Sequence, residues 1–321
     1  MRRLTLWLAA VAGAVALSPP ALAPGSGAAV AAPAVERAPV MPTRVRGVDG
    51  RRMVIRSAAR IVSLNGDLTE TIYALGLGRN LVGVDTSATY PAAAGAIASV
   101  GYQRQLNAEG ILALSPTVVI GSTLAGPAPV IAQLKAAGVP TIIIPEDDRL
   151  SAPMSKIRSV ARILGVPRRG RVLADRTQRQ IRAQSLRAAR AARGRAKPRV
   201  AFLYLRGPRV QMIGGLGSRS NIIIRLARGT DAGAETGITG YRQLTAEALI
   251  GARPDVLVVP QAGLESVGGI DGLLRIPGVA QTAAGRNRRV IAFDDQLLLG
   301  LGPRTGSAIR KLAAGLYPGA V

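Results

Sequence analysis

Two copies of one short pattern hold the residues best suited to chemistry. Residues 101–116 read GYQRQLNAEGILALSP and residues 240–254 read GYRQLTAEALIGARP. Each copy gives a tyrosine, an arginine within two residues, a Gln-Leu pair, and a glutamate two residues beyond Asn107 or Thr245. A deprotonated phenol is a hard oxygen donor that suits ferric iron. Holding a phenol of pKa about 10 ionised at pH 7 costs about 4 kcal/mol. A nearby guanidinium supplies about 1 to 3 pKa units of that, and a metal ion must supply the rest. Tyr102 with Arg104 therefore forms a candidate oxygen ligand with a charge partner, and the loop that carries Tyr241 with Arg242 should border the same inter-lobe cleft. The competing reading of each tyrosine is an interfacial or capping residue whose hydroxyl is satisfied.

Composition removes the rival chemistries. The 321 residues include no histidine and no cysteine. That excludes a Ser-His-Asp triad, a His-ligated zinc, a histidine axial ligand, a thiolate site and a lipid anchor on an N-terminal cysteine. The clustered acids are Glu146, Asp147 and Asp148, and then Asp294 and Asp295. Such runs usually sit at solvated turns, so an exported enzyme using cleft carboxylates is the remote alternative. The formal charge is +24, and all but four of the 42 positive residues are arginine, spread over every segment. Aromatic residues make up 3%, too few for base-stacking platforms, so no nucleic-acid partner is expected.

The two motifs need elements to position them. Asn107 and Thr245 have N-cap chemistry, and Glu109 and Glu247 fall in the first turns that follow, where the helix dipole favours acids. Each helix ends before a proline, Pro116 or Pro254, and a β-branched strand. Around the first motif, RIVSLN, LVGVD, TVVIG and PTIIIP read as strands alternating with the helices DLTETIYALGLG, NAEGILAL and PVIAQLKAAG. Residues 153–193 are helical and rich in Arg and Ala, with a break at 165–167. After Pro198 the alternation returns with VAFLYL, the glycine-rich turn GGLGSRSN (214–221), NIIIRLAR, TAEALIGA, DVLVVP, DGLLRI, RVIAFD and GSAIRKLAAGLYP. Strands alternating with helices predict parallel sheets covered on both faces. Loops that precede such helices open at the carboxyl ends of the strands, where ligands bind.

Upstream, Arg2 and Arg3 precede LTLWLAAVAGAVAL and a small-residue stretch in which Ala29-Val30-Ala31 suits cleavage. This is an export signal, too short for the ~20 residues of a membrane span. The mature protein is expected to be exported, without stable membrane insertion, and monomeric. Residues 33–58 show Pro, Gly and charge without periodicity and read as a mobile lead-in.

Four stretches together resemble a known family: RIVSLNGDLTETIYALGLGRNLVGVDTSATYP, SVGYQRQLNAEGILALSP, GYRQLTAEALIGARPDVLVVPQAGLESVGGIDGLL and FDDQLLLGLGPRTG. They look like haemin-binding periplasmic proteins of haem-uptake ABC transporters, over roughly residues 60 to 318. The resemblance implies an α/β fold of two Rossmann-like lobes with parallel sheets joined by one long helix. The expected division is a signal peptide over 1–31, a lead-in over 32–58, lobes over 59–150 and 195–321, and a linking helix over 151–194. It implies ferric haem as the transported ligand, with Tyr102 as axial ligand supported by Arg104. Tyr241 and Arg242 would meet the second haem face or a propionate. Glu109 and Glu247 would pair with arginines of a permease dimer that works with its ATPase. Tyr90, beside Pro91, is the competing ligand and looks more like a turn residue. The turn 214–221 and Arg304 are further propionate candidates, against simpler roles as a tight turn and a helix start. A siderophore or corrinoid on the same fold is the alternative cargo.

Overall fold

The structure is a computed structural model and describes residues 38–147 and 149–320. The export signal and Asp148 lie outside the described residues. Among the described residues, twelve strands form three sheets. Strands β1 (Thr43–Arg46) and β2 (Arg52–Ile55) make an antiparallel hairpin. Strands β3 (Ile61–Ser63), β4 (Leu81–Val84), β5 (Val118–Ser122) and β6 (Thr141–Ile144) form a parallel sheet in the order β4-β3-β5-β6.

The second sheet contains β7 (Arg199–Arg206), β8 (Val210–Gly214), β9 (Thr230–Asp231), β10 (Tyr241–Gln243), β11 (Val256–Pro260) and β12 (Val290–Phe293). Its order is β10-β8-β7-β11-β12, with β9 also on β7. The parallel arrangement expected from strand-helix alternation holds for β9, β7, β11 and β12. Beyond Leu203 it gives way, because β7 runs straight into the turn Gly207-Pro208-Arg209 and folds back as antiparallel β8, with β10 antiparallel on β8. A turn this short permits only a hairpin, whereas a parallel neighbour needs a crossover of a dozen residues or more.

The parallel strands of the two larger sheets are apolar on both faces, as continuous β-branched runs require. In β5, Val118 and Ile120 pack on one side with Ile72 and Val160, while Val119 faces Ile111 and Leu134 on the other. In the second sheet Phe202, Val256 and Val258 meet Ile223, Ile309 and Leu312, and Leu203, Leu257 and Val259 meet Leu249 and Leu273. Between the sheets run the helix Ala152–Ile163 and the 25-residue helix Pro167–Ala191, the latter about 37 Å long. Its buried residues Gly170, Ala174, Thr177, Ile181, Ala188 and Ala191 form one helical stripe, small enough to let the neighbouring helices approach.

The segment read as a mobile lead-in is ordered over its described part. Thr43 donates its hydroxyl to the Ile163 carbonyl at 2.9 Å, the Val40 amide donates to the Gly165 carbonyl at 2.9 Å, and Ile55 is fully buried. Its strands are four residues each and are interrupted by charge, so their alternation was too brief to register as a period.

Candidate functional site

The cleft between the lobes is built from residues brought together by strand alternation. Side chains two apart on a strand share a face. Tyr204 and Arg206 of β7 therefore face the same way, opposite to Leu203 and Leu205, which belong to the core. Register continues this face across the hairpin: Tyr204 stands opposite Met212, Arg206 opposite Val210, and Gly214 opposite Tyr241. The result is a wall of Tyr204, Arg206, Val210, Met212 and Tyr241. Phe202 backs it, with its ring edge-on to Tyr241 at a centroid distance of 5.9 Å.

The first lobe supplies the facing side. Gly101, at φ 87, turns the chain after β4, a conformation open to glycine without steric cost. The turn is closed by the Gln105 amide on the Tyr102 carbonyl at 2.8 Å and pinned to the next loop by the Gly126 amide on the Gln103 carbonyl at 2.7 Å. Tyr102 is 39% exposed. It lines a cavity of about 1140 Å³ together with Arg104, Tyr204, Arg206, Arg219 and Tyr241. Tyr102, Tyr204, Arg206 and Arg219 also line an adjoining cavity of about 690 Å³ that reaches toward Asp294 and Asp295. Two tyrosines from the second lobe and one from the first thus border a single continuous depression.

Charge in the cleft is mostly internal and paired. Arg206 lies 4.8 Å over the Tyr204 ring and pairs with Asp295 at 2.6 Å. Arg219, next to the N-cap Ser218 of helix Arg219–Leu226, donates to the Leu299 carbonyl at 2.6 Å and pairs with Glu146 of the first lobe. Burial pushes the Tyr204 and Tyr241 phenols up, against the opposing pull of Arg206 on one and Arg219 on the other. Both hydroxyls are therefore neutral at pH 7.

Beneath the cleft, polar side chains tie the lobes together. The Gln296 amide oxygen accepts from the Thr89 and Tyr90 amides at 2.9 and 3.0 Å, and its nitrogen donates to the Gly66 carbonyl at 2.8 Å and to Glu70 at 3.0 Å. Lys156 pairs with buried Asp67 and donates to the Gly300 carbonyl at 2.8 Å. Burial raises the Asp67 carboxyl, but Lys156 and Arg219 outweigh it and hold the group below the usual carboxylate range.

The residues singled out from sequence fall into three groups. Tyr102, Arg104 and Tyr241 share the cleft. Arg242 lies one residue along β10 and opposite Ile213, on the other face of the strand, and lines neither cavity. Tyr90 lies under Arg304, whose guanidinium sits 3.5 Å from the ring centroid. Arg304 itself pairs with Glu70 at 2.9 Å, so both belong to the tie between the lobes. Glu109 and Glu247 are exposed, in helices capped by Asn107 on the Glu109 amide at 2.9 Å and by Thr245 on the Ala248 amide at 3.1 Å. The turn 214–221 is tight, since a Cβ at Gly215 would meet the Ile238 carbonyl at 2.1 Å, yet its Gly217 and Ser218 also line the larger cavity.

The acids weighed as catalytic candidates are engaged structurally. Asp147 pairs with Arg149 at 2.9 Å, and Asp294 caps the Leu297 amide at 2.8 Å. Sequence reasoning missed Tyr204, Arg206 and Arg219. The available signal was polar side chains at alternate positions of VAFLYLR, an otherwise apolar strand.

Among the described residues, no group of three or more His, Cys, Asp and Glu side chains could hold a bare metal ion. The donors that do converge are phenols and guanidinium groups.

Comparison with known proteins agrees with this architecture. The periplasmic heme-binding protein RhuT from Roseiflexus sp. RS-1, solved in apo form, is 51% identical, with a TM-score of 0.78 over 82% of this chain and 99% of that one. An uncharacterized ABC transporter substrate-binding lipoprotein, YvrC of Bacillus subtilis, is 25% identical over 89% of this chain and 88% of its own length. The vitamin B12-binding protein of Yersinia pestis is 26% identical over 64% of this chain and 70% of its own. The pattern of the periplasmic binding protein family matches residues 61–297. The chain belongs to the periplasmic binding protein family.

Proposed function

We propose that this protein binds ferric haem in the inter-lobe cleft and delivers it to an inner-membrane ABC permease. The carrying observation is the meeting of Tyr102 with Tyr204 and Tyr241 across one cleft whose edges hold Arg104, Arg206 and Arg219. A macrocycle brings its own equatorial nitrogens to iron, so the protein needs to add only an axial oxygen, apolar walls and cations for carboxylates. Tyr102 is the axial donor, and Arg104 lines the same cavity as a cation. Tyr204 and Tyr241 are neutral phenols that present ring surface and hydroxyl donors to the far side of the ligand. Leu124, Val210, Met212 and Leu299 supply apolar contact. No bond in the ligand is made or broken. Similarity to a heme-binding protein at 51% identity supports the same reading.

Glu109 and Glu247 serve as the contacts to the permease. Both are exposed, each opens a helix, and both lie outside the cleft cavities, so docking leaves the ligand undisturbed.

A corrinoid is the second reading, favoured by the relative that binds vitamin B12. The test is a visible absorption titration of the mature protein with haemin and, separately, with cobalamin. Phenolate-to-iron charge-transfer bands with saturable haemin binding are expected. Saturation by cobalamin without those bands would replace haem by a corrinoid.

A further inference from the structure

The helix Pro167–Ala191 carries a pattern that the cleft does not use. Eight of its 25 residues are arginine and one, Asp175, is acidic. Arginine is therefore denser in this helix than in the chain as a whole, where 42 of 321 residues are positive. The arginines also repeat: Arg168, Arg179 and Arg190 lie 11 apart, as do Arg171 and Arg182, and Arg176 and Arg187. Eleven residues make almost three whole turns of helix, so these residues form three rows nearly parallel to the axis. Successive members stand about 16 Å apart.

All seven are exposed, whereas the buried stripe of the helix faces the opposite way. Asp175 is engaged by Arg158 at 3.3 Å. No carboxylate pairs with the seven arginines among the described residues. Between the rows, on the same crest as Arg168, Arg179 and Arg190, stand Val172, 67% exposed, and Leu186, 52% exposed. No residue of this helix lines either cleft cavity.

We infer that this crest is a docking surface for an anionic phospholipid bilayer. A straight, rigid array of permanent cations about 33 Å long matches a flat surface of phosphate groups. The two apolar side chains among them suit the boundary between headgroups and acyl chains. A nucleic-acid backbone offers phosphates but no such boundary. Each arginine near an anionic surface adds comparable attraction, which falls off within a Debye length. The proposal does not depend on which ligand occupies the cleft.

The experiment is co-sedimentation of the purified mature protein with phosphatidylcholine vesicles, with and without one third phosphatidylglycerol, at low and high salt. Wild type is expected to sediment only with the anionic vesicles and to be released by salt. Arg168→Gln with Arg179→Gln and Arg190→Gln should lower partitioning on the order of 100-fold. A control with the same charge loss, Arg44→Gln with Arg52→Gln and Arg209→Gln, should lower it several-fold less. Circular dichroism melting establishes that both triple variants are folded. Equal losses in the two triples would mean that net charge alone binds and would overturn the site. Failure of wild type to bind anionic vesicles would overturn it as well, including where the same arginines are instead needed to retain single-stranded DNA.

Discussion

Arg304 of the second lobe lies over the ring of Tyr90 of the first, its guanidinium carbon 3.5 Å from the ring centroid. One face of the Tyr90 ring, in a residue still 43% exposed, meets a cation that is itself fixed by Glu70, through its side chain at 2.9 Å and its backbone amide at 3.1 Å. Tyr90→Phe keeps the ring and the stacking, so it should leave the absorption spectrum of the haemin complex unchanged. Glu70→Gln removes the buried countercharge of a partly exposed arginine and should cost about 2 kcal/mol, read by urea unfolding.

Gln296 is the polar contact that joins most groups across the lobes. Gln296→Ala strands the Thr89 and Tyr90 amides, while the Glu70 oxygen it served keeps Arg304. Leaving such groups unpaired costs about 1–3 kcal/mol each, and water entering the space recovers part of it. A loss of about 2–4 kcal/mol in urea unfolding is expected, with faster hydrogen exchange at the Thr89 and Tyr90 amides.

Asp85 gives the protein a pH dependence of unusual sign. It is 2% exposed, one of its carboxyl oxygens has no partner, and burial pushes its pKa up to about 6. The folded state therefore binds a proton more readily than the unfolded chain, whose aspartate titrates near 3.9. Stability contributed by this group is present below about pH 4 and is lost as pH rises through about 6, by up to about 3 kcal/mol. Asp85→Asn should raise the melting temperature at pH 7.5 and have little effect at pH 4. A larger gain at pH 4 would contradict the assignment.

Glu109 and Glu247 should matter for delivery and not for capture. The double variant Glu109→Ala with Glu247→Ala is expected to bind haemin as wild type does. It should lower ligand-stimulated ATP hydrolysis by the reconstituted transporter at least about tenfold, through loss of charge pairing at the interface.

Much of this organisation was legible in the sequence because its signals are local. The strands TVVIG and DVLVVP, the caps at Asn107 and Thr245, and the long helix all announce themselves within a dozen residues. The duplicated motif also led to Tyr102, Arg104 and Tyr241. What escaped depends on contacts between distant segments. The three-residue strand β10 is too short for a period, and only its pairing with β8 puts Tyr241 opposite Gly214 on the cleft face and Arg242 on the other face. Tyr204 reads as one more aromatic in an apolar strand until the hairpin fixes which face meets the cleft. The hold of Gln296 on Thr89 spans 207 positions, beyond any local pattern.

The most direct test of the central claim is a haemin titration of wild type beside Tyr102→Phe, followed by visible absorption. Loss of the phenolate charge-transfer bands, with affinity lowered at least about tenfold, is the predicted result. Identical spectra and affinities for the two proteins would contradict it.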